Sequence, residues 1–132
     1  MVDSWRFIIS NFADGSWNMA VDEAILSEVS SVNSPPTIRL YGWMPPCLSL
    51  GVAQPFSDID LERLQQNGWS IVRRPTGGRA ILHTDELTYS IIAPKDHPLV
   101  EGSILESYQR LSQGLLYTLS LFGIDAMAQK KY

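Results

Sequence analysis

The order of strand-like and helix-like segments limits the fold of this chain more than any other feature of its 132 residues. Short segments rich in alternating or β-branched apolar residues predict strands. They cover residues 5–10, 37–43, 47–53, 69–74, 79–83 and 87–93. Apolar residues recur at helical spacing in three longer segments, residues 15–29, 57–68 and 103–123. This mixed order predicts an α+β fold with a mixed or mainly antiparallel sheet and flanking helices.

The segment 103–123 is the clearest helix. Ser103 and Glu106 have the spacing of a capping box, and Gly123 is a typical C-terminal stop. Its apolar residues recur on one face: Ile104, Tyr108, Leu111, Leu115, Leu119 and Phe122. Residues 124–128 then resemble a strand that has barely begun. We therefore expect residues 1–132 to form a single but partial domain, incomplete at its C-terminus, with at least one sheet edge unpaired.

The two shorter helices also have local signals. In the segment 57–68, Ser57 is a plausible N-cap and Gly68 a plausible stop. The segment 15–29 predicts a helix with one apolar face, made of Trp17, Val21, Ala24 and Ile25.

Length, charge and cysteine content exclude several classes of protein. The chain is long enough for one domain with a hydrophobic core. Its net charge of −4 at pH 7 argues against nonspecific nucleic-acid binding, which needs a basic surface. We find no apolar run of membrane-spanning length and no signal-peptide pattern. The single cysteine, Cys47, cannot form an internal disulfide, and neither His83 nor His97 has metal-ligand spacing. We therefore expect a cytoplasmic protein with no metal, nucleic acid or membrane partner.

The stretch IVRRPTGGRAILHTDELTYSII, residues 71–92, places positive charge beside a glycine turn. Gly77 and Gly78 have no Cβ, so they tolerate positive φ and let a ligand approach the main chain. Consecutive backbone N–H groups in such a turn can form an anion-binding nest. Arg73 and Arg74 are adjacent on a predicted strand, so their side chains point to opposite faces. This pattern predicts a site for an anionic or carbonyl-bearing ligand.

Arg79 and His83 extend the candidate site. A guanidinium suits a carboxylate, phosphate or carbonyl oxygen, and an imidazole can orient a group or exchange a proton near neutral pH. The alternative is a surface hairpin whose turn is residues 76–78, with solvated arginines and a half-buried histidine. The spacing alone does not decide between these interpretations. It does exclude a P-loop and a dinucleotide fingerprint, because neither glycine pattern is present.

The cysteine and the tryptophans have structural interpretations. A nucleophilic Cys47 would need a depressed pKa and a nearby base, and its local sequence supplies no base. We favour a small apolar residue that begins a strand after two prolines. Trp17, Trp43 and Trp69 are expected in the core rather than in a ligand cage.

Three motifs together resemble the lipoate–protein ligase and octanoyltransferase family of the biotin/lipoate ligase superfamily. RRPTGGRAILHTDELTYSI, residues 73–91, is similar to the family signature. NMAVDEAIL, residues 18–26, resembles the first helix, and LYGWMPPCLSLGVAQ, residues 40–54, resembles the next strand pair. The resemblance covers nearly all of this chain but only the N-terminal half of a family domain. The ligases usually have a third glycine where Arg79 stands, so the cysteine-dependent octanoyltransferases are the more similar group.

The resemblance implies a two-step acyl transfer. A cysteine takes an octanoyl group from octanoyl-acyl carrier protein, and a lysine of a lipoyl domain or of the glycine-cleavage H protein then takes it from the cysteine. No cofactor is needed, whereas a lipoate–protein ligase, the alternative, would use ATP and Mg²⁺. By resemblance, eight residues lie along the bound acyl group: Arg74, Gly77, Gly78, Arg79, Ala80, Ile81, Leu82 and His83. Tyr41 and Gln54 are further candidates for the same pocket.

One departure from the family pattern concerns the catalytic residues. The family's nucleophilic cysteine and essential lysine lie downstream of the matched region, beyond Tyr132, so the catalytic residues of this chain are unknown. Cys47 is not at the nucleophile's position, and neither Lys130 nor Lys131 matches the lysine. Three interpretations stay open: a fragment, one subunit of a split enzyme whose partner is a second subunit or the missing C-terminal half, and a non-catalytic module that binds acyl groups or lipoyl domains. We expect no acyl transfer by this chain alone.

Overall fold

The computed structural model describes residues 4–31 and 33–128. Lys130 and Lys131 lie outside the described residues. The chain divides into two compact units, Met1–Ile92 and Ala93–Tyr132. That residues 1–132 act as a single domain stays a prediction.

The first unit has two three-stranded sheets. Its elements are β1 (Arg6–Ala13), α1 (Gly15–Ser30), β2 (Thr37–Trp43), β3 (Cys47–Leu50), a 3-10 turn (Phe56–Asp58), α2 (Leu61–Gln66), β4 (Ser70–Arg73), β5 (Ile81–His83) and β6 (Thr88–Ile92). Sheet 1 has the order β1-β2-β6, with β1 parallel and β6 antiparallel to β2. Sheet 2 has the order β4-β3-β5, with β4 parallel and β5 antiparallel to β3. The predicted α+β fold with mixed sheets is therefore confirmed.

Helix α1 covers one face of sheet 1. The Asp14 side chain caps its N-terminus by accepting a hydrogen bond from the backbone N–H of Trp17 at 2.9 Å. Toward the other end, Ile25 and Val29 pack with Ile92 of β6. The predicted apolar face of this helix is wrong in part, because Trp17 is 62% exposed. The buried residues of α1 are Gly15, Asn18, Met19, Asp22, Ile25 and Val29.

Two of these buried residues, Asn18 and Asp22, are polar because they accept hydrogen bonds from the Arg39 side chain of β2. The Arg39 side chain is buried and forms an ion pair with Asp22 at 2.8 Å. It also donates to Asn18 Oδ1 at 2.8 Å. Tyr41 and Ser90 donate to the same Asp22 carboxylate, each at 3.0 Å. A buried charge needs such a full set of partners to offset its desolvation, so this network specifies how α1 sits on sheet 1.

The helix predicted over residues 57–68 is shorter than its pattern indicated. It begins at Leu61 because Asp60, not Ser57, is the N-cap and accepts from the backbone N–H of Arg63 at 3.0 Å. Ile59 has extended backbone, which separates the 3-10 turn from α2. The predicted stop is confirmed, since Gly68 has φ +65° just after the helix.

The second unit contains α3 (Ile104–Leu121). The predicted capping box between Ser103 and Glu106 is confirmed, and Gly123 has φ +73° after the helix. The apolar stripe is largely exposed, with Ile104 at 88% and Phe122 at 77%. The strand predicted over residues 124–128 is wrong, because these residues form neither strand nor helix. Within residues 4–31 and 33–128, the helices lack the length and apolar character needed to cross a membrane.

Candidate functional site

The glycine turn packs directly against the end of β3, which stops at Leu50 and not at the predicted residue 53. The backbone N–H of Val52 donates to Thr76 O at 2.9 Å. A Cβ on Gly51 would lie 1.9 Å from Gly78 O, so only glycine fits there. Gly78 has φ +89°, as predicted. Gly77 does not have positive φ, and a Cβ on it would meet nothing within 4 Å.

Arg73 and Arg74 hold two different loops, as expected for neighbours that point to opposite faces. Arg73 Nη1 donates to three carbonyl oxygens of the loop 51–54, at 2.8, 3.2 and 2.7 Å. Arg74 Nη2 donates to two carbonyl oxygens of the turn 77–79, at 2.7 and 2.8 Å. Arg74 Nη1 donates to the Ser49 carbonyl at 2.9 Å. Because its donors are used on the main chain, Arg74 shapes the turn in this conformation rather than reaching into solvent.

The solvent side of the turn offers donors for an anion or a carbonyl. The Arg79 side chain is 88% exposed, and its Nη2 lies 4.0 Å from Asp58 Oδ2, too far for a close ion pair. In the part of the chain that the structure describes, the N–H groups of Gly77 and Gly78 have no hydrogen-bond acceptor. An exposed cation and two backbone donors therefore belong to one turn, the arrangement that binds oxyanions and polarised carbonyls.

The apolar residues predicted to line the acyl group divide between two faces of sheet 2. Ile81 pairs with Ser49 and Leu82 with Leu48 across β3 and β5. Since consecutive strand residues alternate, Ile81 and Leu82 point to opposite faces. Ile81 is 47% exposed and shares its face with His83. Only Ile81 of this pair can therefore line a pocket on the histidine side.

His83 is buried in a hydrogen-bonded chain that the sequence did not predict. Its Nε2 lies 2.8 Å from Ser49 Oγ, and its Nδ1 lies 2.5 Å from Glu86 Oε1. The ring stacks on Trp43 with centroids 4.0 Å apart and planes 9° apart. Trp43 Nε1 donates to Thr88 Oγ1 at 2.8 Å, and that hydroxyl donates to Glu86 Oε1 at 2.8 Å. The imidazole is thus fixed in position from both nitrogens and from its face.

The donors around Ser49 determine the proton positions in this chain. Arg74 Nη1 donates to Ser49 Oγ at 3.1 Å, so the serine hydroxyl proton is free to point at His83 Nε2. A neutral His83 then carries its proton on Nδ1 and donates it to Glu86. Ser49, His83 and Glu86 have the order of a hydrolytic triad, but Ser49 is 0% exposed. A substrate cannot reach Ser49. These hydrogen bonds therefore orient His83 and do not make Ser49 a nucleophile.

The Glu86 carboxylate is stabilised in its charged form. Burial alone would raise its pKa, but the hydrogen bonds from His83 and Thr88 hold the pKa below its usual value. Glu86 therefore stays an acceptor for His83.

Cys47 has the structural role that we favoured. It is 0% exposed and belongs to a core cluster with Met19, Tyr41 and Trp43. Burial raises the pKa of the thiol, against a smaller lowering by the hydrogen bond with Ser70. A buried thiol that stays protonated is a poor nucleophile.

The remaining sequence candidates lie in different surroundings. The Tyr41 hydroxyl is bound to Asp22 on the α1 side of sheet 1, and burial, then the Asp22 charge, raise its pKa. Gln54 Oε1 is buried and has no hydrogen-bond partner in the described part of the chain. Trp43 is in the core as predicted, being 2% exposed.

Three residues that shape the site had little or no signal in the local sequence. Ser49 had no signal beyond its place in an alternating strand, and its contact with His83 spans 34 positions. Glu86 had a weak signal, an acidic residue three positions after the histidine. Gly51 was placed inside the predicted strand 47–53, and nothing in the local sequence indicated its close approach to Gly78.

Comparison with known proteins agrees with these motifs. The lipoyl protein ligase A/B catalytic domain family matches residues 14–132. An octanoyltransferase, LipM, of Geobacillus kaustophilus is 47% identical over 123 residues, covering 92% of this chain and 44% of the relative. LipM of Moorella thermoacetica is 48% identical over 122 residues, covering 92% of this chain and 45% of the relative. The chain thus spans about half the length of the curated relatives it matches.

A solved structure supports the fold. A bi-partite lipoate protein ligase of Thermoplasma acidophilum, described together with its E2 lipoyl domain, aligns with a TM-score of 0.82 at 23% identity. The alignment covers 96% of this chain and 48% of that protein. With the match over residues 14–132, these relatives confirm the predicted resemblance. This chain belongs to the lipoyl protein ligase A/B catalytic domain family.

Proposed function

We propose that this chain is the acyl-binding half of an octanoyltransferase of the lipoate pathway. It would take part in moving an octanoyl group from acyl carrier protein to the lysine of a lipoyl domain or of the glycine-cleavage H protein. The names of the relatives at 47% and 48% identity support octanoyl transfer over ATP-dependent lipoate activation. In this proposal the reaction needs no nucleotide, Mg²⁺ or other cofactor.

The observation that supports this proposal most is the turn 77–79. Among the residues that the structure describes, the N–H groups of Gly77 and Gly78 have no acceptor, and the Arg79 side chain of the same turn is exposed. The carbonyl of a thioester becomes an oxyanion when it is attacked, and such donors stabilise that charge. Arg74 would hold the shape of the turn through its hydrogen bonds to the Gly77 and Arg79 carbonyl oxygens. Ile81 would contact the start of the acyl chain. His83, fixed by Ser49 and Glu86, would support the wall of the site.

The nucleophile in this proposal comes from outside these 132 residues. Cys47 is the one cysteine of the sequence and is fully buried. An acyl-enzyme needs an accessible thiolate, which a buried, protonated thiol does not provide. A free thiol also suits the cytoplasmic location in which we place the reaction.

The test is the intact mass of an apo lipoyl domain after incubation with octanoyl-acyl carrier protein, or with lipoate, ATP and Mg²⁺. Each mixture contains this chain alone, or this chain together with the C-terminal half of the Geobacillus kaustophilus relative. We expect an octanoyl mass shift only when both halves and octanoyl-acyl carrier protein are present. Arg79→Ala should reduce the rate, by about tenfold or more for loss of a charged donor to the oxyanion.

Other outcomes would contradict the proposal. A lipoyl shift only with ATP and Mg²⁺ would assign the chain to the ligases. An octanoyl shift by the chain alone that Cys47→Ser abolishes would show that the buried thiol becomes accessible. Binding of the lipoyl domain without a mass shift in any mixture would assign a non-catalytic module.

A further inference from the structure

One face of sheet 1 is apolar and open to solvent. We call it the open face of sheet 1. Six of its residues alternate along β1, β2 and β6 with the residues that face α1: Phe7, Ile9, Ile38, Leu40, Tyr89 and Ile91. Phe12 follows an irregularity in β1 and belongs to this face through its contact with Gly42. The most exposed of these are Ile9 at 74%, Phe12 at 62% and Phe7 at 59%. The opposite face of the same strands contains Arg39 and its partners in α1, so each face is assigned by contacts as well as by alternation.

The register of the strands makes this face continuous. Ile38 lies between Phe7 and Ile91, and Leu40 lies between Ile9 and Tyr89. These are two rows of apolar side chains across all three strands.

At one end of the open face, Phe12 of β1 lies against Gly42 of β2. A Cβ on Gly42 would lie 2.5 Å from the Phe12 ring, so the ring lies directly over this glycine. The absence of a side chain at Gly42 leaves the space that the Phe12 ring occupies. The face is therefore a shaped surface and not a set of scattered apolar residues.

An apolar sheet face of this kind normally packs against another layer. An antiparallel or mixed sheet with one face solvated carries polar residues on that face, and here the outward positions of three strands are apolar. Soluble proteins rarely expose contiguous apolar patches of large area unless the patch binds a partner. A second layer would remove these side chains from water and stabilise the sheet.

We propose that the open face of sheet 1 binds the second half of the catalytic domain of this family, whether on the same polypeptide or on a separate one. The relatives contain about as much sequence again as this chain, which covers 44% and 45% of their length. The aligned Thermoplasma protein likewise extends to about twice the matched length. The covering segment should present apolar side chains, because none of the seven residues of the open face is charged.

The test uses a thiol probe on this face. Ile9→Cys is made in this chain and in the same chain extended by the C-terminal half of the Geobacillus kaustophilus relative. The rate of maleimide labelling is then measured without any acyl donor. Cys47 is 0% exposed and gives little background labelling. We expect labelling at residue 9 to slow by about tenfold or more in the extended protein, because a covered thiol reacts only after local opening.

The matched control is Leu26→Cys, an exposed apolar position of α1 at 42%. Its labelling rate should be the same in both proteins. A second measurement tests the same contact without labelling and requires a folded extended protein. Ile9→Lys should lower the unfolding temperature of the extended protein and leave the unfolding temperature of the chain alone unchanged.

Equal labelling at residue 9 in both proteins would overturn the proposal. Labelling in the chain alone that slows as protein concentration rises would also overturn it, since a second copy would then cover the face. Equal slowing at residues 9 and 26 would show a general loss of access and would equally contradict it. None of these outcomes depends on acyl transfer, so the proposed function can fail while this inference holds, and the reverse.

Discussion

Single residues determine the shape of the glycine turn. Gly78 needs its positive φ, and Gly51 needs its missing Cβ because the Gly78 carbonyl occupies that space. Gly77 has neither requirement, although it belongs to the motif by sequence. The side chain that holds the turn is Arg74, through carbonyl oxygens on both sides of it.

Gly51→Ala should destabilise the protein more than Gly77→Ala. The new methyl group would lie 1.9 Å from a backbone oxygen, and backbone yields less readily than a flexible side chain. We expect a loss of about 3 kcal/mol in the free energy of unfolding, the upper range for overpacking. Gly77→Ala, the matched control, should change it by no more than about 0.5 kcal/mol. Urea unfolding of the three proteins measures this, and similar losses in both variants would contradict the contact.

The Glu86–His83 contact predicts an acid dependence of stability. The folded protein holds the pKa of Glu86 below its ordinary value of 4.5. The contribution of this carboxylate to the free energy of unfolding is therefore fully present above pH 4.5. It is lost as the pH falls through the lower folded value. The difference in urea midpoint between the wild type and Glu86→Gln should therefore shrink between pH 7 and about pH 3. A difference that stays constant over this range would contradict the shift.

At the scale of elements, each sheet has a separate role. Sheet 1 supports α1 through the buried Arg39–Asp22 pair. Sheet 2 carries the candidate site, since β3 provides Ser49, β4 leads into the turn and β5 provides His83. The site is thus built on strands on both sides of a shaped loop, which suits a site that must hold a carbonyl in one position.

Asp22→Ala should loosen α1 from sheet 1. The change leaves the Arg39 guanidinium buried without its carboxylate, and it removes the acceptor of Tyr41 and Ser90. We expect a loss of about 3–5 kcal/mol in the free energy of unfolding, as for other broken buried pairs. Glu23→Ala changes the neighbouring but exposed carboxylate and should cost no more than about 0.5 kcal/mol. Thermal or urea unfolding distinguishes them, and equal effects would show that the pair contributes little.

At the scale of the whole molecule, the two units differ in how much they bury. Helix α1 of the first unit buries six residues, whereas Ser112 is the buried residue in α3 of the second. Local stability follows buried contacts, so the amides of α3 should open more easily than those of α1.

Amide hydrogen exchange tests this difference. Amides in the middle of α3 should exchange faster than those in the middle of α1 by about tenfold or more, because little apolar surface holds α3 closed. Intrinsic exchange rates of the two sequences provide the correction for composition. Equal protection in both helices would mean that α3 is covered in solution.

Much of this protein follows from local sequence alone. Periodicity predicted both long helices, a capping box marked the start of α3, and the motif around residues 73–91 predicted the family. The positive φ of Gly78 and the opposed directions of Arg73 and Arg74 also follow from local rules, because a turn and a strand impose them on neighbouring residues. The fold class needed only the order of these elements.

The contacts between distant residues had no such local signal. Burial of Asn18 and Asp22 in place of Trp17 depends on Arg39, which arrives from another element. The need for Gly51 depends on a carbonyl that lies 27 positions further along the chain. Ser49 comes into contact with His83 only when β3 and β5 pair. Local sequence therefore predicted the elements and the motif, while the packing of sheets and loops selected the partners, because side-chain contacts depend on distances in space and not on spacing along the chain.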